Sequence, residues 1–166
     1  MEFKKNVLPL LHNVYSPQKV LEAARLVYGL GYKNFVVTKA SGAAAQSGVP
    51  EAQKIALRKG ANLFYLADLD DAIELFRPSR VYLFVPEGYA DEEFEPRTAR
   101  EQAESSVVML VFGGAEPGLS KRELEKGTPV YIPGLWEHST VGTLAIALYL
   151  LELDARISRG DETALY

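Results

Sequence analysis

The chain has 166 residues, and 18 Lys and Arg against 22 Asp and Glu give it a formal net charge of −4 at pH 7. This length predicts one domain over residues 1–166, and 48% hydrophobic with 24% charged residues indicates a globular rather than a disordered protein. The absence of cysteine excludes disulfides, thiolate metal sites and a cysteine nucleophile. The acidic total argues against indiscriminate coating of nucleic acid, but it is compatible with a local basic patch.

The N-terminal stretch is not typical of a signal peptide. Its apolar run ends at His12 and Asn13, and it lacks a small-residue cleavage site. The most apolar stretch, residues 141–153, is too short to span a bilayer. We therefore expect a cytoplasmic protein without a membrane partner.

Short apolar runs alternate with amphipathic segments along the whole chain. The apolar runs, typical of buried parallel strands, lie at residues 7–14, 35–38, 62–66, 81–85, 107–112 and 129–132. The segments with helical spacing lie at residues 18–30, 50–59, 69–76, 97–105 and 139–157, and a further short helix is predicted after Ser120. This alternation predicts an α/β fold with a mostly parallel sheet and helices on both faces.

Local signals predict where several of these elements begin. Ser16, Asp68 and Ser120 each precede a helical segment and can accept a hydrogen bond from a first-turn N–H group. Pro9 lacks an N–H group, so the first strand is predicted to start after it.

Three loops are candidates for a ligand site, because ligands of parallel sheets bind at the carboxyl ends of strands. They are residues 85–88, 113–118 and 132–138. The second contains three glycines that would let a ligand approach the backbone, but they fit a strand-to-helix turn equally well. It is neither a P-loop nor a dinucleotide fingerprint. In the third, Leu135 and Trp136 are more simply explained as plugs at the edge of the core, and His138 has no second histidine nearby.

The pattern of carboxylates does not favour a metal-dependent nuclease. Restriction-like nucleases need an acid on one strand and an acid-x-lysine sequence on the next. The one acid-x-lysine here is Glu2-Phe3-Lys4, with no acid before it. Asp70 and Asp71 suit the first turn of a helix, and no metal site is predicted.

The C-terminal third resembles the SpoU branch of the SPOUT RNA methyltransferases. The shared features are an apolar strand with the glycine-rich loop of residues 111–120, an Ile-Pro loop at residues 132–133, and an alanine-rich helix opened by Ser139. Arg25, followed six residues later by Gly31, matches the family's first motif. Lys19 and Val141 stand where the family has asparagines. The place of the family's acid in the glycine-rich loop is taken by Ala115, with Glu116 one step later.

The resemblance implies a C-terminal trefoil knot, a homodimer, and S-adenosylmethionine bound by the three loops. The cofactor contacts that it implies are Leu83, Gly113, Gly114, Glu116, Gly118, Ile132, Gly134, Ser139 and Leu144. It also implies that Arg25, supplied by the opposite subunit, is the catalytic residue that helps to activate a ribose 2′-hydroxyl.

Two functions follow as hypotheses. The first is an S-adenosylmethionine-dependent RNA methyltransferase that modifies the ribose 2′-oxygen of tRNA or rRNA. The second is a non-catalytic SPOUT-like module that binds RNA, a nucleotide or a protein. An RNA partner requires concentrated positive charge, which Lys19, Arg25 and Lys39 are predicted to provide. The simpler role for Arg25 is a salt bridge to Glu22, one helical turn away.

Overall fold

A computed structural model describes residues 1–160, which contain a seven-stranded sheet. The strands are β1 (Val7–Val14), β2 (Asn34–Ala40), β3 (Asn62–Leu66), β4 (Arg80–Phe84), β5 (Glu92–Glu93), β6 (Val108–Gly113) and β7 (Thr128–Tyr131). Their order is β3-β2-β1-β6-β4-β7-β5, and every neighbouring pair runs parallel. The predicted α/β fold with a mostly parallel sheet is confirmed.

Helices cover both faces of the sheet. They are α1 (Pro17–Gly29), α2 (Val49–Lys59), α3 (Leu69–Phe76), α4 (Pro96–Ala103), α5 (Lys121–Leu124) and α6 (Thr140–Ser158). The larger core joins α1, α2, α4 and α6 to one face. On the other face, Leu69 and Ala72 of α3 and Leu124 of α5 pack against the sheet. Each strand of the centre is therefore apolar on both sides, as parallel strands between two helix layers must be.

The predicted helix caps are confirmed. The side chain of Ser16 accepts a hydrogen bond from a first-turn backbone N–H group of α1. Asp68 forms a capping box with Asp71 at the start of α3, and Ser120 forms one with Glu123 at the start of α5. These bonds satisfy N–H groups that have no partner inside the helix.

The predicted start of the first strand was wrong. Strand β1 begins at Val7, so Pro9 lies inside it, opposite Leu110 of β6. Pairing with β2 begins only at Leu10, opposite Val36. A proline is tolerated there because its missing N–H group falls where the ladder to β2 has not yet begun.

No helix among residues 1–160 combines the length and the apolar character needed to cross a bilayer.

Candidate functional site

A cleft of about 400 Å³ opens at the carboxyl ends of β4, β6 and β7. All three of the loops named from the sequence contribute to its walls, through residues 84–86 and 89, residues 116–119, and residues 136–138. The start of α5 adds the side chains of Lys121 and Leu124. The volume lies within the range of small-molecule sites, and the position is the one where parallel sheets bind ligands.

The first and third loops are joined into one wall of the cleft. A carboxylate oxygen of Glu87 accepts a hydrogen bond from the backbone N–H of Gly134 at 2.7 Å. The backbone N–H of Glu87 donates to the carbonyl of Leu135 at 2.8 Å. Because Glu87 bonds to both Gly134 and Leu135, the first and third loops are fixed relative to each other.

The base of the second loop is tied to three other elements. The N–H of Gly114 donates to the carbonyl of His12 in β1 at 2.7 Å, and Lys19 Nζ in α1 donates to the carbonyl of Gly114 at 3.1 Å. The buried hydroxyl of Thr140, the first residue of α6, donates to the carbonyl of Gly113 at 2.7 Å. The loop is thus held in place before any ligand binds.

His138 is one of the titratable groups that line the cleft. Gly118 has φ +109°, and a Cβ there would lie 3.2 Å from His138 Nδ1, so only glycine lets the imidazole approach. Burial lowers the pKa of His138; the charge of Lys19 acts in the same direction, and that of Glu116 opposes it. The lowered pKa favours the uncharged imidazole, which is the form that can accept a proton.

Two aromatic rings stand exposed at the mouth of the cleft. Trp136 is 63% exposed and Tyr89 is 74% exposed, and both line the cleft. A Cβ at Gly88 would lie 3.5 Å from the ring of Trp136, so the ring rests against that glycine. The expectation that Trp136 plugs the core is wrong, whereas Leu135 is half-buried and packs against the core.

Sequence reasoning missed a polar network beneath the cleft. His12 is fully buried, with Nδ1 at 2.7 Å from the hydroxyl of Thr38 and Nε2 at 2.6 Å from a carboxylate oxygen of Glu123. Burial raises the pKa of Glu123, but the Ser120 N–H and His12 outweigh it, so the net shift is downward. The two residues of the pair are 111 positions apart, and no local pattern signals their contact.

The residues predicted to bind the cofactor lie in different environments at this edge of the sheet. Glu116 and Gly118 line the cleft. Gly134 and Ser139 are exposed. The buried members of the predicted set are Leu83, Gly113, Gly114, Ile132 and Leu144. Contact of any of them with a cofactor stays a prediction.

The residues predicted to bind RNA are near one another in sequence but differ in exposure. Lys19 is half-buried against the Gly114 carbonyl, whereas Arg25 and Lys39 are exposed. Within residues 1–160 Arg25 makes no hydrogen bond or ion pair, so the expected salt bridge to Glu22 does not form. In the same part of the chain, no three His, Asp or Glu side chains lie together as a metal-binding group.

Comparison of the sequence with known proteins gives nuclease names. The profile of the family described as RecB-family nuclease (DUF2122) matches residues 42–150. "Putative type II restriction enzyme MjaORF1200P" of Methanocaldococcus jannaschii is 43% identical over 139 residues, which cover 84% of this chain and 91% of that protein. "Putative type II restriction enzyme ApeKORF2002P" of Aeropyrum pernix is 43% identical over 145 residues, with 87% and 90% covered.

Comparison of the fold gives methyltransferase names. A structure described as a "putative methylase family protein" from Neisseria gonorrhoeae has a TM-score of 0.73 at 18% identity, covering 91% of this chain and 83% of its own. The SpoU methyltransferase AviRb from Streptomyces viridochromogenes has a TM-score of 0.69 at 16% identity, covering 92% and 60%. At such identities the likeness shows the fold alone, so the resemblance to the SpoU branch holds for the architecture.

The predicted function was wrong. The family and both relatives carry nuclease names, which contradicts S-adenosylmethionine-dependent RNA methylation and the alternative of a non-catalytic binding module. The glycine-rich loop, the Ile-Pro loop and the last helix determine the shape of this edge of the sheet. Two proteins with the same backbone at this edge can catalyse different reactions. The low weight given to a nuclease rested on the missing acid-x-lysine pattern. The described side chains offer no metal-binding group either, so the family name and the site chemistry disagree.

Proposed function

Since this chain belongs to the RecB-family nuclease (DUF2122) family, we propose that it acts on nucleic acid and that phosphodiester cleavage is its activity. Two relatives with restriction-enzyme names support this, each 43% identical over more than four fifths of the chain. The bound substrate would lie at the carboxyl edge of the sheet, where the cleft opens.

A divalent cation is the group that many nucleases use, and the residues here do not fit one. Among residues 1–160 no three His, Asp or Glu side chains converge, and Lys121 lines the same cleft as Glu116 and Glu137. We therefore propose hydrolysis in which His138 accepts the proton of the attacking water and returns it to the leaving oxygen. The geometry that carries this is the half-buried imidazole of His138 in the wall of the cleft.

The cleft itself is the observation that supports a small-molecule ligand, with S-adenosylmethionine as the first candidate. Its lining fits an adenosine-bearing cation: Phe84 and Leu119 are apolar, Gly118 has no side chain, and Glu116 carries negative charge. Bound there, the ligand would supply a cationic sulfonium beside that carboxylate. The architecture shared with SpoU-type methyltransferases supports the same choice.

Lys19, Arg25 and Lys39 are our candidates for contacts with the phosphates of RNA. All three lie at or after the carboxyl ends of β1 and β2, or on the helix between those strands. Within residues 1–160 the guanidinium of Arg25 has no hydrogen bond or ion pair, and this supports the role, because such a cation gives up no contact there when it binds a phosphate.

We further propose that the chain forms a homodimer and a C-terminal trefoil knot. Exposed apolar side chains of α6 support the dimer, because the surface of a monomeric protein rarely carries several such groups together. These side chains are Ile146, Tyr149 and Ile157. After β7 the chain comes back to the end of β6, where the hydroxyl of Thr140 bonds to the carbonyl of Gly113. This return towards an earlier loop supports the knot. Sedimentation velocity of the wild type and of Tyr149→Glu tests the dimer.

The cleavage proposal is tested with labelled single- and double-stranded RNA and DNA, incubated with or without Mg²⁺ and with EDTA. We expect cleavage that EDTA does not reduce and that His138→Gln abolishes. His12→Gln is not a suitable control because His12 is buried, so Arg80→Ala, at the amino end of β4, serves instead. Failure to cut any substrate under every condition refutes the activity.

The ligand proposal is tested by calorimetric titration with S-adenosylmethionine. Gly118→Ala places a Cβ against His138 in the cleft and is expected to weaken binding at least tenfold. Gly42→Ala is the matched control, since Gly42 also has positive φ (+58°) but nothing lies within 4 Å of its Cβ position. No heat from the folded wild type at millimolar ligand refutes the ligand, whatever the outcome for cleavage.

A further inference from the structure

The mouth of the cleft presents ring faces and carboxylates together. Trp136 and Tyr89 expose most of their surface, although aromatic rings of this size are usually buried. Glu137 follows Trp136 in the chain and lines the same cleft, as does Glu116 from the opposite loop. Within residues 1–160 neither carboxylate makes a hydrogen bond or an ion pair. Both remain available to a ligand.

Exposed aromatic rings beside a cleft are suited to stacking against an unpaired nucleobase. Such stacking is indifferent to base identity, because every base has a π-face. The ring of Trp136 is oriented by its contact with Gly88, and the loop that carries Gly88 and Tyr89 is tied to the loop of Trp136 through Glu87 and Gly134. The backbone segments that carry the two rings are therefore held together before a ligand binds, which lowers the entropy cost of stacking.

The carboxylates add a choice among bases. A carboxylate only accepts hydrogen bonds, so it favours a base edge with two adjacent donors. Guanine offers N1–H and N2–H side by side on its Watson–Crick edge. Adenine and cytosine each place an acceptor nitrogen next to their amino group, and uracil flanks its single N–H with two carbonyls. The match between a carboxylate, which only accepts hydrogen bonds, and the two adjacent donors of guanine therefore favours guanine at the mouth.

We propose that Trp136 and Tyr89 stack an unpaired guanine of single-stranded RNA and that Glu137 accepts hydrogen bonds from its N1–H and N2–H groups. This inference rests on the proposed action on nucleic acid and specifies the base that is recognised at the mouth of the cleft. Glu116, on the opposite loop, stays with the proposed small-molecule ligand.

Trp136 is the one tryptophan of the chain, so its fluorescence reports on this site alone. The probes are labelled RNA heptamers, U₃GU₃ and U₃AU₃, with U₇ and the DNA counterpart of U₃GU₃. Binding is followed by anisotropy in EDTA at 4 °C, with the integrity of each RNA checked on a gel. We expect U₃GU₃ to quench the tryptophan and to bind about tenfold more tightly than the other two RNAs, equivalent to about 1.4 kcal/mol.

The variants separate stacking from edge recognition. Trp136→Ala and Tyr89→Ala should weaken binding of all heptamers, whereas Trp136→Phe should keep most of the affinity. Glu137→Gln should lower the preference for guanine while leaving the affinity for U₇ unchanged. Tyr65→Ala is the control for an exposed tyrosine at the opposite edge of the sheet and should change nothing.

Three outcomes overturn the inference or its basis. Equal affinity for all RNA heptamers refutes the guanine site but leaves the action on nucleic acid standing. Tighter binding of the DNA heptamer than of U₃GU₃ refutes RNA as the ligand of this site. Absence of binding to every RNA and DNA probe refutes the proposed function itself.

Discussion

The carboxylate of Glu123 lies 2.6 Å from Nε2 of the fully buried His12, and this contact joins helix α5 to the middle of the sheet. The other imidazole nitrogen is held by Thr38 of the neighbouring strand. Because α5 contributes Lys121 and Leu124 to the cleft, the pair also fixes one wall of the candidate site. A polar network that is satisfied on both sides is worth more than either bond alone.

We expect Glu123→Ala to lower the free energy of unfolding by about 1.5–3 kcal/mol at pH 7, because it leaves Nε2 of the buried His12 without its partner. Urea unfolding measures this change. Glu123→Gln keeps a hydrogen-bond acceptor and should cost less. If Glu123→Gln and Glu123→Ala destabilise the protein equally, the charge rather than the hydrogen bond holds α5 in place.

The same pair makes stability depend on acid pH. The pKa of Glu123 is lowered in the folded protein from its ordinary value of 4.5. A lowered pKa gives stability that is present above pH 4.5 and is lost as the pH falls through the folded value. Between pH 3 and pH 7 the free energy of unfolding should therefore change less with pH for Glu123→Gln than for the wild type. If the free energy of unfolding depends on pH in the same way for both proteins, Glu123 has the same pKa in the folded and the unfolded state.

Gly114 is required by a close backbone approach. A Cβ there would lie 2.7 Å from the carbonyl oxygen of Asn13 and 2.7 Å from Cβ of Val14. We expect Gly114→Ala to lower the free energy of unfolding by about 1–3 kcal/mol, since β1 and the loop must separate. Gly29→Ala is the control, because nothing lies within 4 Å of that position. A loss at Gly29 as large as that at Gly114 would contradict the steric explanation.

Replacement of Arg25 should affect binding of RNA and not stability. Arg25 is exposed and makes no ion pair within residues 1–160, so Arg25→Ala should change the free energy of unfolding by less than about 0.5 kcal/mol. If it contacts a phosphate, the slope of log affinity against log salt should fall by about 1. Arg80→Ala, at the amino end of β4, should leave that slope unchanged. Equal slopes for both variants would remove Arg25 from the interface.

Two buried tyrosines predict the behaviour at alkaline pH. The hydroxyl of Tyr28 donates to the Asn62 carbonyl and that of Tyr32 to the Leu148 carbonyl. Burial raises the pKa of both, and the charge of Glu152 raises that of Tyr32 further. A raised pKa gives stability that is complete below pH 10 and is lost as the pH rises above it. In absorbance titration at 295 nm, at least two of the nine tyrosines should ionise only as the circular dichroism of the fold disappears.

Tyr32→Phe checks this assignment. It should remove one late-ionising group and cost about 0.5–1.5 kcal/mol of stability through the lost hydrogen bond. A titration in which all nine tyrosines ionise near pH 10 in the folded protein would show that both hydroxyls reach solvent.

Sequence predicts best where the determining contacts are local. Ser16, Asp68 and Ser120 cap helices through residues three positions or fewer away, so their roles are readable from short segments. The start of β1 was misplaced because a proline is tolerated inside a strand only where it removes no hydrogen bond. Whether Pro9 meets this condition depends on where pairing with β2 begins, which the neighbouring residues of the chain do not reveal. The contact of His12 with Glu123 was missed for the same reason.

The site was predicted in part. The three loops that line the cleft were identified from glycines and prolines at the ends of apolar runs, and their convergence follows from parallel topology. The exposure of Trp136 was not foreseen, because an isolated tryptophan in a loop is equally suited to a core edge. The reaction was mistaken because the motif residues that carry the resemblance determine backbone shape, whereas chemistry depends on side chains that differ between families.

The position of Pro9 has a consequence for how the chain is made. Strand β1 is synthesised before β2, so until residue 34 emerges from the ribosome the β2 side of β1 is an open edge. Open edges pair with other chains and initiate aggregation, and a proline is one of the residues that discourage such pairing. Pro9 lacks its N–H group on that side, just before the ladder to β2 begins at Leu10. It therefore interrupts the open edge of the nascent strand without removing a bond from the finished sheet.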